Sequence, residues 1–450
     1  MKTAAVKITK PGINGEGIAF MNNKPVFIPG AFVNETVRIE LTEETDRYAR
    51  AKLLSVLKPC DGRLADRCPS KGCESCPWID LNYDEQLLYK RQLLCEAVWK
   101  YGHVAAAFVR EIRPSAQVFG WRSALKLPVA EKNGQAVSGM YKQGTNHFAE
   151  ITDCPVHDQK LETIRKTAMA VIREEKFPAF DGTHGLRTLV MRRIDEKIQI
   201  ALITGKDEIS ESLIHKLSLL PEVVSIVQSV NTEKNSVNLF GSASAVLYGS
   251  PYLDIHFCGF DIRLSAESFF QLNLSQAANL YRMAVSKIDP CEILAEAYCG
   301  VGVMSILAKD KARKVFGIES VPQAIENARA NAAANRVPNL TFLCEDAAAG
   351  LRKISEEYDI DTLLADPPRS GMDDAMIEAI LASKIKKIVY ISCNPATLGK
   401  NIKALKKAFT LQTIIPFDMF PNTPHVESIA VLTRVGTSDR TIRKKHRKGR

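Results

Sequence analysis

The stretch CEILAEAYCGVGVMSILAKDKARKVFGIES, Cys291–Ser320, decides the fold. CEILAEA reads as a short buried strand, AYCGVGVMS as a glycine-bearing turn, VMSILAKD as a helical run and KVFGIES as a second strand. The same alternation continues through PQAIENARANAAANR, LTFLCED, IDTLLADPPRSG, MIEAILAS, KIVYISC, NIKALKKAF, TLQTIIPFDMF and VESIAVLTRV. Strands that alternate with helices in this way predict a doubly wound, Rossmann-like α/β domain with a parallel sheet over residues 266–434.

Ligands of such sheets sit outside the carboxyl ends of the strands. In the first strand-to-helix turn, Gly300 and Gly302 would let backbone approach a ligand, but no third glycine follows at dinucleotide spacing. The next strand ends in Glu319, an acid placed to accept both hydroxyls of a ribose. No phosphate-binding loop with lysine and serine is present, so the expected ligand is a nucleoside without a pyrophosphate, a description that S-adenosylmethionine fits. A later strand ends LLADPPRSG, which puts Asp366 beside that ligand and stiffens the turn with Pro367 and Pro368. The following strand delivers Cys393 at the same edge in YISCNPATLGK, and the last connection, FDMFPNTPHVES, carries His425 and Glu427. A lone cysteine at a strand end is ordinarily packing, and most of the 11 in the chain are read that way. The company of Asp366 and Glu427 at one sheet edge argues for chemistry here.

Two further segments precede this domain. Residues 1–58 hold four short alternating runs, AVKITK, KPVFIPG, TVRIELT and RYARAKLLSVL, separated by Gly/Pro turns, the pattern of a small β-barrel of the TRAM/OB-like kind that often binds RNA. Residues 59–265 mix helices and strands as a central α+β domain without a readable catalytic motif. This segment opens with CDGRLADRCPSKGCESCPW, in which Cys60, Cys68, Cys73 and Cys76 are dense enough to mean a metal site. Four thiols here would close a zinc site by themselves. A fourth ligand from further along, for which Cys154 in ITDCPVHD is the candidate, would suit an iron–sulfur cluster.

The chain of 450 residues has 25% charged and 46% hydrophobic residues, ordinary for a globular protein of two or three domains. No apolar run of about 18 residues exists, so no membrane helix is expected. The odd cysteine count and the absence of an apolar leader point to the reducing cytoplasm. The net charge of +9 is concentrated in the tail SDRTIRKKHRKGR from Ser438. Residues 435–450 are therefore expected to be a disordered basic end, of the kind that touches nucleic acid or only aids solubility.

Taken in order, FFQLN (Phe269–Asn273), YCGVG, DPPR, SCNPATL and FPNTPHVE resemble the RNA uracil-5-methyltransferase family that carries an N-terminal TRAM barrel. GIAFMNNKPVFIPGAFVNETV is similar to that barrel, so the likeness covers nearly the whole chain. The resemblance implies S-adenosylmethionine as methyl donor, contacted by Gln271, Tyr298, Glu319 and Asp366, with Cys393 as nucleophile and Glu427 as base. It also implies a [4Fe-4S] cluster on Cys68, Cys73, Cys76 and Cys154, and a monomer acting on RNA, with 23S ribosomal RNA ahead of transfer RNA. Three positions depart from the family pattern. Four residues rather than five separate Cys68 from Cys73, Glu296 stands where an aspartate is usual, and Val303 replaces a small polar residue.

These assignments match the chemistry. C5 of uracil is a poor nucleophile. A thiolate added at C6 makes C5 enolate-like, and a base must later remove the C5 proton so that the thiol can leave. A stacked base would have to be flipped out or come from a loop. Two rival readings are an RNA cytosine-5-methyltransferase, which would need a second cysteine motif not found here, and a TRAM-bearing RNA-binding protein with an inert sheet, which would not need Cys393 and Glu427 together.

Overall fold

The computed structural model describes residues 3–70, 72–142, 145–233, 238–242 and 244–436. The basic tail from Ser438 lies outside the described residues. The chain divides into two compact units. One comprises Met1–Arg67, Ser75–Val118 and Asp366–Arg450, the other Cys68–Glu74 and Phe119–Ala365.

The first unit begins with six strands, Thr3–Lys7, Lys10–Pro11, Gly17–Met21, Lys24–Ile28, Thr36–Glu44 and Ala49–Lys58, joined in one curved sheet. Alternate residues, among them Ile8, Ala19, Val26, Ile28, Val37 and Ile39, point inward to a common core. Its later part holds the strand Lys387–Ser392, the helix Pro395–Leu405 and the strands Phe409–Phe417 and Glu427–Arg434. Here the all-parallel expectation needs refining. Glu427–Arg434 runs antiparallel to both Lys387–Ser392 and Phe409–Phe417. The connection over residues 418–426 contains no helix and is too short for a parallel crossover, so the chain returns as a hairpin.

The helix Tyr83–Gly102 belongs to the same unit. Asn82 caps it by accepting from the Glu85 N–H at 2.9 Å, and Asp84 and Glu85 occupy its first turn, where negative charge meets the positive helix end. Its last turn lies close against the helix Pro395–Leu405 through two glycines. A Cβ on Gly102 would stand 2.7 Å from the carbonyl oxygen of Gly399.

The second unit contains a seven-stranded sheet in the order Ser244–Gly249, Val223–Val230, Lys197–Thr204, Leu186–Ile194, Ala124–Lys132, Gln135–Tyr141, Phe148–Glu150. One face is closed by the helices Gln159–Glu174 and Glu211–Ser218, whose Leu161, Ala168, Ile172 and Leu213 pack with Leu125, Leu189, Met191 and Ile200. Among the described residues the other face carries no helix. The same unit holds four parallel strands, Leu340–Cys344, Ala312–Glu319, Cys291–Ala297 and Thr362–Ala365, with the helices Pro322–Ala334 and Ala347–Glu357 among the connections. The architecture is thus mixed α/β with a strand-rich N-terminal barrel. No helix among the described residues is long and apolar enough to cross a membrane.

Candidate active site

The strand Lys387–Ser392 is buried along Ile388–Ser392 and stops at Cys393. Asn394 then caps the next helix, its Oδ1 accepting from the Ala396 N–H at 3.0 Å, with Pro395 at the first helical position. Cys393 is thereby fixed between a strand end and a helix start. The antiparallel ladder pairs Ser392 with Ser428. Cys393 follows the last rung on one strand and Glu427 precedes it on the other, so the two residues meet at the same end of the ladder.

Both groups lie in an acidic, desolvated corner. Burial, then the nearby Glu427 and Asp366 carboxyls, push the Cys393 thiol up to about 12, with Arg369 opposing. Burial and the neighbouring Asp366 raise Glu427 well above the usual carboxylate range. Burial alone raises Asp366 to about 7. At neutral pH and without substrate the proton therefore rests on the thiol, while Asp366 is poised near its midpoint and Glu427 ionises less readily than an ordinary carboxyl.

The loop after Asp366 is held rigidly. Asn394 Nδ2 donates to the Arg369 carbonyl at 3.0 Å, and Asn401 closes a two-way pair with Met372 at 3.0 and 2.8 Å. Tyr390 OH donates to Asn401 Oδ1 at 2.8 Å, tying this loop to the nucleophile's own strand. The Arg369 guanidinium faces His425 Nδ1 at 3.4 Å, so Nδ1 is the acceptor and Nε2 carries the proton. Desolvation and the positive charges of Arg369 and Lys90 keep that imidazole neutral.

The loop bearing His425 and Glu427 is clamped by the helix Tyr83–Gly102. Lys90, fully buried, pairs with the equally buried Asp418, and its Nζ donates to the Phe420 carbonyl at 3.0 Å. One turn earlier, Gln86 accepts from the Asn422 N–H at 2.7 Å and donates to Asn422 Oδ1 at 3.2 Å and to the carbonyls of Trp78 and Leu81. Asn422 takes a left-handed φ of 70°, as its short polar side chain allows. Sequence reading missed this clamp. Its signal was present, because Gln86 and Lys90 interrupt the otherwise apolar buried face Tyr89, Leu93, Leu94, Val98 at helical spacing.

In the second unit the turn after Cys291–Ala297 has Tyr298, Gly300 and Gly302 at φ of 64°, 52° and 82°. A Cβ on Gly300 would meet nothing within 4 Å, so the turn opens onto free space. The Gly300 N–H donates to Glu319 Oε2 at 3.2 Å, and Glu319 Oε1 accepts from the N–H groups of Ser320 and Val321 at 2.8 and 3.1 Å. Tyr298 and Glu319 thus flank one opening, and Glu319 is oriented by backbone donors. These residues suit a ribose diol held by a carboxylate. Gln271 lies buried before the helix Leu274–Ser286. Glu296 accepts a short hydrogen bond from Ser305, and Val303 packs at the start of the helix Val303–Leu307.

Ser70 Oγ donates to the Asp153 carbonyl at 2.7 Å, and Cys73 and Cys154 pack against the same apolar core. Cys68, Cys73 and Cys154 belong to the second unit and Cys76 to the first. Among the described residues no three Cys, His, Asp or Glu side chains form a group that could hold a metal ion. Burial pushes the Cys154 thiol up to about 11.

Comparison with known proteins agrees with the fold. Residues 82–435 match the family described as tRNA (Uracil-5-)-methyltransferase, and residues 2–54 match the TRAM domain. An uncharacterized RNA methyltransferase of Bacillus anthracis is 33% identical over 447 residues, 96% of this chain and 97% of the relative. Another, from Listeria innocua, is 33% identical over 445 residues, 95% and 96% of the two chains. The crystal structure of Pyrococcus abyssi tRNA (uracil-54, C5)-methyltransferase in complex with S-adenosyl-L-homocysteine superposes with a TM-score of 0.78 at 26% identity, covering 96% of this chain and 100% of that one. Family match, near full-length relatives and superposition agree from the barrel to the last strand: the chain belongs to the tRNA (uracil-5-)-methyltransferase family of RNA methyltransferases, with a TRAM domain at its N-terminus.

Proposed function

We propose that this protein transfers the methyl group of S-adenosylmethionine to C5 of a uridine in RNA through a covalent bond between Cys393 and C6 of the base. The observation that carries the reading is that Cys393 and Glu427 flank the last rung of one ladder, Ser392–Ser428, within electrostatic reach of each other and of Asp366 and Arg369. The Cys393 proton leaves as substrate enters, with Asp366 the carboxyl poised to take it. The Cys393 sulfur adds to C6, and the electron pair moves through C5 toward O4. C5 then takes the methyl group, whose bond to the donor sulfur breaks. A deprotonated Glu427 removes the C5 proton, the C5–C6 double bond re-forms, and the C6–S bond breaks to release thiolate. Tyr298, Glu319, Gln271 and Asp366 are assigned to the donor. The Pyrococcus relative's complex with S-adenosyl-L-homocysteine supports that choice of donor.

The RNA is proposed to be ribosomal, on the strength of the cysteine motif in the sequence. Transfer RNA is the second reading, favoured by the tRNA substrate in the Pyrococcus enzyme's name. The resemblance also assigns a [4Fe-4S] cluster to Cys68, Cys73, Cys76 and Cys154. That is a separate proposal, and no step above passes through it. Iron, sulfide and visible absorbance of anaerobically purified protein decide it: a brown protein bleached by Cys76→Ser supports the cluster, and a colourless one removes it.

The mechanism is tested by Glu427→Gln. Addition and methyl transfer need no base at this position, but release does. The variant should accumulate a protein–RNA adduct that labels with methyl-tritiated donor and vanishes when Cys393 is also replaced by Ala. Free turnover by Glu427→Gln, or an adduct independent of Cys393, would overturn the assignment.

A further inference from the structure

The helix-free face of the seven-stranded sheet holds a feature that the methyl-transfer reading does not use. Strand register places Val190 beside Lys126 and Ala201, and Arg192 beside Ala124 and Gln199. Lys126, Arg192 and Gln199 therefore share one face on three adjacent strands. The segment 266–272 crosses over them and encloses a cavity of 160 Å³, lined also by Arg122, Phe269 and Phe270. An apolar cavity of about 150 Å³ admits one benzene ring, so this one is sized for a single ring.

Three cations and no carboxylate line it. Arg192 is 8% exposed, and its guanidinium is held by the carbonyls of Ser265 and Ser268 at 3.5 and 2.5 Å. Those contacts orient the charge without neutralising it, and burial pulls the group down to about 10. An uncompensated, desolvated cation is costly unless an anion joins it. At the rim Phe269 is 73% exposed, while Phe270 beside it is buried edge-on to Phe257 at 5.1 Å. An acidic peptide would satisfy the cations and leave the Phe269 ring in water. A nucleotide satisfies both, with phosphate on the cations and base on the ring, the combination by which single-stranded nucleic acid is held.

We propose that this cavity receives one unpaired nucleotide of the RNA, at a position other than the methylated uridine. The proposal rests on the RNA-methylation reading and adds a second contact by which the enzyme holds its substrate strand.

The test measures binding of a short fluorescein-labelled oligouridylate to the full chain by anisotropy, with S-adenosyl-L-homocysteine binding followed by calorimetry. Lys126 is exposed, so Lys126→Gln leaves the fold intact. It should weaken RNA binding and lower the slope of log K against log salt by about 0.7. Phe269→Ala should weaken binding roughly tenfold or more through lost stacking, with the slope unchanged. Neither should alter S-adenosyl-L-homocysteine affinity. RNA affinities within twofold of wild type in both variants would overturn the proposal, as would equal loss of S-adenosyl-L-homocysteine affinity or displacement of the RNA by polyglutamate at equal charge. Failure of the methylation reading is separate: it shows as a wild-type protein that methylates no uridine.

Discussion

Lys90→Met should unfold the protein far more readily than its distance from the reacting carbon suggests. Lys90 and Asp418 are both fully buried, so removing the ammonium leaves a carboxylate in the interior without its counter-charge. Breaking such a pair by deleting one partner costs about 3–5 kcal/mol. With a urea slope of about 3 kcal/mol/M, the midpoint should fall by roughly 1–1.7 M. Trp78 is a local reporter, since it is buried and its N–H donates to the Asn422 carbonyl at 3.1 Å, so indole fluorescence can follow the transition. The second arm is Lys90→Met combined with Asp418→Leu. Replacing both partners by apolar groups is often neutral or better, and here only the lost bonds to the Phe420 carbonyl and N–H, about 1 kcal/mol each, should remain. A single variant within 0.3 M of wild type (under about 1 kcal/mol at that slope) would show that the pair does not anchor this loop. A double variant as unstable as the single would show that the cost lies in lost volume and not in stranded charge.

Cys393→Ala should abolish methyl transfer while leaving S-adenosyl-L-homocysteine affinity by calorimetry within about twofold, because the thiol reacts and does not hold the donor. Asp366→Asn should flatten the pH dependence of stability. Burial raises the Asp366 carboxyl to about 7, so the native state holds a proton that the unfolded chain releases near its ordinary value, and stability falls as pH rises from about 4 to 7. The span is on the order of 2–4 kcal/mol, read as the difference in urea midpoints between pH 4.5 and 7.5 for wild type against variant. Deleting the tail from Ser438 should weaken RNA binding and reduce its salt slope with no change in melting temperature; an unchanged slope would mean that the tail makes no phosphate contacts.

Much of this architecture is legible in the sequence because it follows from local rules. Alternating strands and helices, the Asn394–Pro395 cap and start, and the glycine turn at 300–302 are each written within a few residues. Cys393 and Asp366 could be grouped because each directly follows a strand, and Glu427 joins them because it opens the strand that returns antiparallel beside Cys393's own. The return of Glu427–Arg434 as an antiparallel strand was missed, because a helix-free connection had to be noticed where alternation had been the rule. Lys90 and Gln86 were missed because their partners, Asp418 and Asn422, lie more than 300 residues away. No local pattern encodes such a pairing, and only the polar interruption of an apolar helix face hints at it. The cysteine motif is legible only as a pattern, since the ligand set Cys68, Cys73, Cys76 and Cys154 comes from resemblance and among the described residues no three such side chains group as a metal site.

The hairpin return also has a consequence for how this protein can vary. Because the ladder pairs Ser392 with Ser428, the neighbours of Cys393 and Glu427, their alignment has parity. Sliding the strand Glu427–Arg434 by one residue would turn every side chain on it to the opposite face, and Glu427 with them. Insertions or deletions in the helix and loop between the two residues are tolerable so long as the ladder re-forms in the same phase. A single residue gained or lost inside either strand is not, however conservative its chemistry. Among homologues, length differences should therefore be absent from 387–392 and 427–434, so that the two strands behave as a reading frame for the active site.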